Sequence, residues 1–248
     1  MNPHFLFVIP VVCALVIYMI SFKEGKQICD NYVLVTYLYT LFYLALGTYF
    51  ITILLQYYEK KLDRLSLGTL LGIIVLYVII YYVMIFIPKE QLLLKHLISI
   101  FYIMITSVML AVIFMMYFPQ SIILSLLMTL VLFVVLTLIA WKYQDVISSR
   151  VSLIMLIVFF ILVIAEFLVS LFYPGTLIEK AIILVVLLVV CYLVLVKTKR
   201  MIENRDSCEK DGGPDYVRES TGLLLTFQNM LIRILELTGR RRRRYSLS

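Results

Sequence analysis

Long apolar runs broken by short polar islands set the pattern of this chain. A helix rises 1.5 Å per residue, so about 20 consecutive apolar residues cross the hydrocarbon layer of a bilayer. Runs of this kind occupy residues 5–22, 32–56, 67–87, 92–118, 121–141, 151–172 and 177–196, and a weaker, more polar run covers 221–237. The first, second, third and fifth carry no charged residue. Pro88, Pro119 and Pro174 fall between runs, where a missing N–H costs little. Strands alternating polar and apolar residues are absent, which excludes a β-barrel. The pattern predicts an all-α, polytopic membrane bundle.

The last run differs from the others. Thr226, Asn229, Arg233 and Glu236 recur at helical spacing and form one polar stripe on a helix otherwise of Leu, Ile and Phe. Such a stripe must face a protein interior, a wet cavity or the head groups, never lipid tails.

Composition agrees. Of 248 residues, 63% are apolar and 15% charged, with a mean hydropathy of +1.05. Soluble domains are usually about 45–50% apolar and about 25% charged. A cytosolic enzyme and a disordered binding arm are both ruled out. The net charge of +7 is confined to islands between apolar runs, so anionic lipid, not nucleic acid, is the partner it suits.

Charge also sets the sides. The first, third, fifth and seventh connections hold 12 basic residues: Lys23, Lys26, Lys89, Lys95, Lys142, Arg150, Lys197, Lys199, Arg200, Arg205, Lys210 and Arg218. The other three hold Lys60, Lys61 and Arg64. That bias places the odd connections in the cytoplasm. Met1-Asn2-Pro3-His4 lacks the basic region of a signal peptide, and Lys23 and Lys26 follow the first run, as in an uncleaved anchor with its N-terminus outside. Arg240, Arg241, Arg242, Arg243 and Arg244 form a basic tail. It lies outside if the eighth segment spans once. If that segment is re-entrant, the tail is cytoplasmic and binds anionic lipid, at about 1 kcal/mol per basic residue. Ser246 follows Arg243 and Arg244 and is a candidate phosphosite that would weaken such binding, against a simpler reading in which the tail only fixes topology.

Glu166 lies about 9 Å from the end of its run. A carboxylate there needs a partner or water. Three readings stand: a neutralising pair with Lys180 across a hairpin, an ion or proton site, and a protonated, unpaired acid. Lys197 and Lys199 are expected to snorkel to the head groups, and Thr106, Ser107 and Thr129 to be packing hydroxyls. Tyr57, Tyr58, Tyr81 and Tyr82 read as interfacial anchors. Cys13, Cys29, Cys191 and Cys208 include no Cys-x-x-Cys pair, so neither a disulfide framework nor a zinc site is expected. His4 and His96 have no neighbours at metal-ligand spacing. With no phosphate loop, nucleophile elbow or paired-His motif, neither enzymatic activity nor a cofactor is expected.

The C-terminal quarter carries the most specific pattern. It reads Leu195-Val-Lys-Thr-Lys-Arg-Met-Ile-Glu203, a hydrophilic linker, then Asp215-Tyr-Val-Arg-Glu-Ser-Thr-Gly-Leu-Leu-Leu-Thr-Phe227 and the basic tail. Upstream stands Leu138-Ile-Ala-Trp-Lys-Tyr-Gln-Asp145. These stretches resemble the Bax inhibitor-1-like (transmembrane BAX inhibitor motif) family, with its Tyr/Phe-Asp-Thr-Gln helix end, its Asp-Tyr-Val linker and its last helix of the type Leu-x-Leu-Asp-x-x-x-x-Phe. The resemblance implies seven family-like helices over about 32–239, an extra N-terminal anchor helix and loop in 1–31, and a tail over 240–248. It also implies a pH-sensitive calcium leak, calcium being the permeant ion, and suppression of apoptosis through apoptosis regulators. The implied location is an endoplasmic reticulum or Golgi membrane, or the plasma membrane in a prokaryote.

This chain departs from the family at the acid-sensing aspartate pair. Lys197 stands at the first position and Thr226 at the second, and Thr106 stands where the third family helix often has a glutamate. Two like charges sharing a site titrate as a couple; here neither acid is present. The alternatives are an ion or small-solute transporter using Glu166, although no internal repeat is visible, and a non-transporting membrane scaffold.

Overall fold

The structure, a computed structural model, describes residues 6–23, 26–62, 65–145, 147, 151–173, 175–210 and 212–240. His4, Arg64, Arg150, Pro174, Arg241, Arg242, Arg243, Arg244 and Ser246 lie outside the described residues. Among the described residues the chain forms nine helices and a minimal hairpin. They are α1 (Val8–Ser21), β1 (Phe22–Lys23), β2 (Lys26–Gln27), α2 (Tyr32–Tyr57), α3 (Glu59–Leu62), α4 (Leu67–Phe86), α5 (Leu92–Met115), α6 (Pro119–Lys142), α7 (Val151–Phe172), α8 (Leu177–Ser207) and α9 (Tyr216–Thr238).

Five of these helices, α2, α4, α5, α6 and α8, are long and apolar enough to cross a membrane. Their exposed faces carry large apolar side chains such as Leu71, Val75, Ile123 and Val131, which suits lipid and would be untenable in water. Helix α1 has 14 residues and rises only about 21 Å, short of the run at 5–22 expected from hydropathy. Helix α8 has 31 residues and continues well past the apolar run expected to end at Val196. It starts with a capping box: Thr176 Oγ1 accepts the Glu179 N–H at 3.3 Å, and the Glu179 carboxylate accepts the Gly175 N–H at 2.5 Å. Gly175 has φ +77°, a turn that favours glycine. Helix α6 opens on Pro119, a position where the lost N–H had no helical partner.

The chain divides into two compact units. The first comprises Met1–Met116 and Arg205–Leu224. Within it α2 packs on α1 and α5, and α4 packs on α5. The start of α9 is the hub of this unit. Asp215 caps α9, its Oδ1 accepting the Arg218 N–H at 3.2 Å, while its Oδ2 takes Lys95 Nζ at 2.5 Å. Lys95 is 2% exposed and also donates to the Ile87 carbonyl at 3.1 Å. It is therefore a buried partner and not the free connection charge expected. Tyr216 is fully buried, stacks 5.8 Å from Tyr39 and donates to the Ile28 carbonyl. Lys89 Nζ donates to the Gly213 carbonyl at 3.1 Å.

A disulfide, Cys29–Cys208, closes the same region, which corrects the expectation of no bridge. The two cysteines are 179 positions apart, so spacing alone carried no sign of the bond; only the fold brings the first and seventh connections together. Cys13 and Cys191 stay free, as their apolar surroundings suggest.

The second unit comprises Tyr117–Asn204 and Leu225–Ser248. Ala140, Ile147 and Val196 form a core near the end of α6, with Tyr192 and Leu195 against it. At the other end of α6, the Phe118 N–H donates to the Arg240 carbonyl at 3.2 Å and the Arg240 N–H to Ser121 Oγ at 3.1 Å. Arg240 therefore lies beside the start of α6.

The Lys95–Asp215 pair gives the first test. Asp215→Asn keeps a capping side chain but leaves the buried ammonium without its counter-ion, a loss expected to cost about 3–5 kcal/mol. Lys95→Met with Asp215→Asn removes both charges and is expected to regain most of that stability. Unfolding midpoints in detergent read the difference, and equal losses in single and double variants would contradict the assignment.

Candidate functional site

Helix α9 positions the candidate site. Of its 23 residues only Arg218 and Thr238 are exposed, so the stripe read from the sequence is turned into protein. Within the second unit it meets α8, α6 and α7.

The upper partner is α8. Lys197 Nζ donates to Thr226 Oγ1 at 2.7 Å, and Thr226 is 3% exposed. Phe227, the next residue, packs edge-on against Phe133 of α6 at 5.5 Å between ring centres. Lys199, two residues on, donates to the Ile147 carbonyl at 2.6 Å and lies 3.5 Å from Glu203. Both lysine heads bond to protein oxygens. Because α8 continues as a helix beyond Val196, their stems run alongside protein, and each head finds an oxygen acceptor there. The positions at which the resemblance puts a carboxylate couple are thus adjacent, and they hold an ammonium and a hydroxyl.

Seven residues, or about 10 Å, farther along α9 lies an ionic cluster. Arg233 Nη1 donates to Glu166 Oε1 of α7 and, at 2.8 Å, to Glu236 Oε2. Glu166 is 7% exposed and Arg233 9%. This corrects the expected Glu166–Lys180 pair. Lys180 is exposed near the start of α8, whereas Arg233 presents a planar fork that serves two carboxylates at once. Among the described residues, Glu166 Oε2 and Arg233 Nε are buried with no hydrogen-bond partner, as is Gln228 Oε1 nearby in the sequence of α9. With both acids ionised, the cluster carries one more negative charge than positive. Glu179, buried at the start of α8, uses its carboxylate in the capping box.

Asn229, the remaining member of the stripe, donates to the Leu225 carbonyl of its own helix at 2.9 Å. Thr106, Ser107 and Thr129 bond to carbonyls one turn back at 2.7 Å each, and Ser107 also reaches the Gly47 carbonyl at 3.3 Å. Tyr57, Tyr58 and Tyr82 are exposed, but Tyr81 packs 5.8 Å from Tyr102. His96 contacts Tyr39 Oη at 3.1 Å and the Leu92 carbonyl at 2.8 Å. Among the described residues no group of three acidic, histidine or cysteine side chains is placed to hold a metal. Sequence reading missed Lys95, Asp215, Tyr216 and the role of Arg233 as the partner of Glu166. A lysine near the start of an apolar run and an arginine in the stripe were the available signals.

The Arg233 cluster predicts an asymmetry. Arg233→Gln strands two carboxylates and is expected to cost about 3–5 kcal/mol of stability. Glu166→Gln leaves Arg233 paired with Glu236 and is expected to cost clearly less, and Glu166→Gln with Arg233→Gln should recover part of the larger loss. Thermal unfolding of the purified variants reads the order, and a reversed order would show that Glu166 does not depend on Arg233.

No curated protein and no solved structure matches the chain. One family model does, that described as "Inhibitor of apoptosis-promoting Bax1", over residues 29–243. The match covers α2 through α9 and takes in Lys197, Thr226, Glu166 and Arg233. The chain belongs to the Bax inhibitor-1 family, a family of multi-pass membrane proteins without enzymatic activity.

Proposed function

We propose that this chain modulates intracellular calcium and restrains apoptosis at an internal membrane, as a family member whose flux does not respond to acid. The observation that carries this reading is the 2.7 Å contact between Lys197 and Thr226, where the family resemblance places a titrating carboxylate couple. An ammonium and a hydroxyl share no proton as two carboxyl groups do, so this joint lacks the couple whose charge would change with pH. The sign of the charge is also reversed. At an effective dielectric of about 20, a unit charge and a divalent cation 4 Å apart repel by about 8 kcal/mol. Calcium passing this point meets a barrier where a carboxylate would offer a binding step. The chain then acts as a weak constitutive leak, as a closed bundle, or as a competitor of relatives that keep the couple.

The stranded oxygen of Glu166 supports a second reading, a transporter whose cation step uses the Glu166–Arg233–Glu236 cluster. The two separate on one measurement, flux through Glu166→Gln, which the second reading expects to be abolished. A scaffold without transport would show no flux in any variant.

Calcium efflux from proteoliposomes at about pH 6 and pH 8 tests the main reading. The native chain is expected to show little difference between the two. Lys197→Asp with Thr226→Asp is expected to introduce acid sensitivity, provided that the variant elutes as the native chain does in size exclusion. A strongly acid-sensitive native flux overturns the reading.

A further inference from the structure

We infer that Cys29–Cys208 is a reversible redox modification site, closed and opened by a small-molecule thiol–disulfide couple of the glutathione class. This goes beyond the calcium reading and does not rest on it.

Side and chemistry together carry the inference. Cys29 lies in the first connection and Cys208 in the seventh, the connections that the basic residues place in the cytoplasm. Lys23 and Lys26 stand in the first connection itself, on the same side as Cys29 by that count. A disulfide facing a reducing compartment is characteristically transient and redox-sensing, not a permanent staple.

Access makes one sulfur the target. Cys29 is partly exposed, while Cys208 is 3% exposed. An incoming thiolate attacks Cys29 Sγ. The sulfur–sulfur bond breaks, its electron pair leaves on Cys208 Sγ, and that sulfur takes up a proton. A second thiol attacks the mixed disulfide, frees Cys29 as a thiol and leaves as the oxidised small-molecule disulfide. Two electrons pass from two thiols to the protein. Cys208 directly follows the C-terminus of α8, where the negative end of the helix dipole opposes a thiolate.

The bond controls a defined segment. Between α8 and α9, the Gly213 N–H donates to the Cys208 carbonyl at 2.9 Å, Gly213 accepts Lys89, and Asp215 holds Lys95. Reduction removes the covalent member of this set and leaves the polar contacts and the packing of Tyr216 to hold the entry to α9. That helix carries Thr226 and Arg233, so the clasp acts on the element that presents both candidate sites.

The test uses the full chain in its own membrane, with Cys13→Ser and Cys191→Ser removing the two free thiols. Thiols are trapped by alkylation, the remaining disulfide is reduced, and its cysteines are counted with a maleimide–polyethylene glycol. The site is expected to be partly oxidised at rest, fully oxidised after diamide and fully reduced after dithiothreitol. On the purified chain, reduction is expected to speed tryptic cleavage around Lys210 by about tenfold through local opening. Cys29→Ser should reproduce that rate without reductant. Full oxidation in cells that persists when cytosolic reductant is raised overturns the inference and marks an oxidising compartment. Full reduction under diamide overturns it too, as does a cleavage rate indifferent to the bond.

Discussion

A helix as polar as α9 cannot stand in lipid, and the surrounding structure answers to that constraint. Within about five turns it carries threonines, a glutamine, an asparagine, an arginine and two glutamates, and nearly every position is at least half buried. The apolar helices serve the opposite need, presenting leucine, isoleucine and valine outward. Lipid sorts the two kinds by cost: an ionised side chain at the bilayer centre is penalised by several kcal/mol, whereas an apolar surface there loses nothing.

Enclosing α9 transfers the problem to its neighbours, which must supply partners for what it buries. Asp215 meets Lys95, Thr226 meets Lys197, and Arg233 meets Glu166. Each contact lies at a different depth along α9 and draws on a different helix: α5, α8 and α7. Desolvation offsets much of what such pairs gain, and apolar side chains of similar size would hold the helices together as firmly. What an apolar contact would not do is fix register. A shift of α9 by one residue turns it by about 100° and would separate all three pairs at once.

Hydropathy made the apolar helices legible because their constraint, contact with lipid, acts on every residue alike. The stripe on the last segment was legible for the same reason in reverse. Partners were not. For Glu166, hairpin geometry favoured Lys180, 14 positions on in the next segment. The actual choice depended on which helix α7 packs against, and no local pattern records that. Cys29 and Cys208 show the same limit over 179 positions. Lys95 was counted as a topological charge since it begins a helix, and only Asp215, 120 positions away, reveals it as buried. The end of α8 was misplaced because hydropathy stops at Val196, whereas the helix is carried on by Met201, Ile202 and the pairing of Lys199 with Glu203.

On the function proposed above, Lys197 and Thr226 stand in place of a titrating couple, and their pairing bears on what the fold keeps under that reading. A carboxylate couple does two jobs: its hydrogen bond holds two helices together, and its shared proton reports pH. An ammonium–hydroxyl contact at 2.7 Å can do the first without the second. The geometry required of the site, two polar side chains from α8 and α9 within hydrogen-bond reach, is met by different chemistry. On that reading the joint and the sensor are separable at these two positions. The nearby Glu166–Arg233–Glu236 cluster shows that α9 still holds acidic groups against a neighbouring helix. In it one arginine contacts both acids directly, so a fixed cation meets one of the two carboxylate charges.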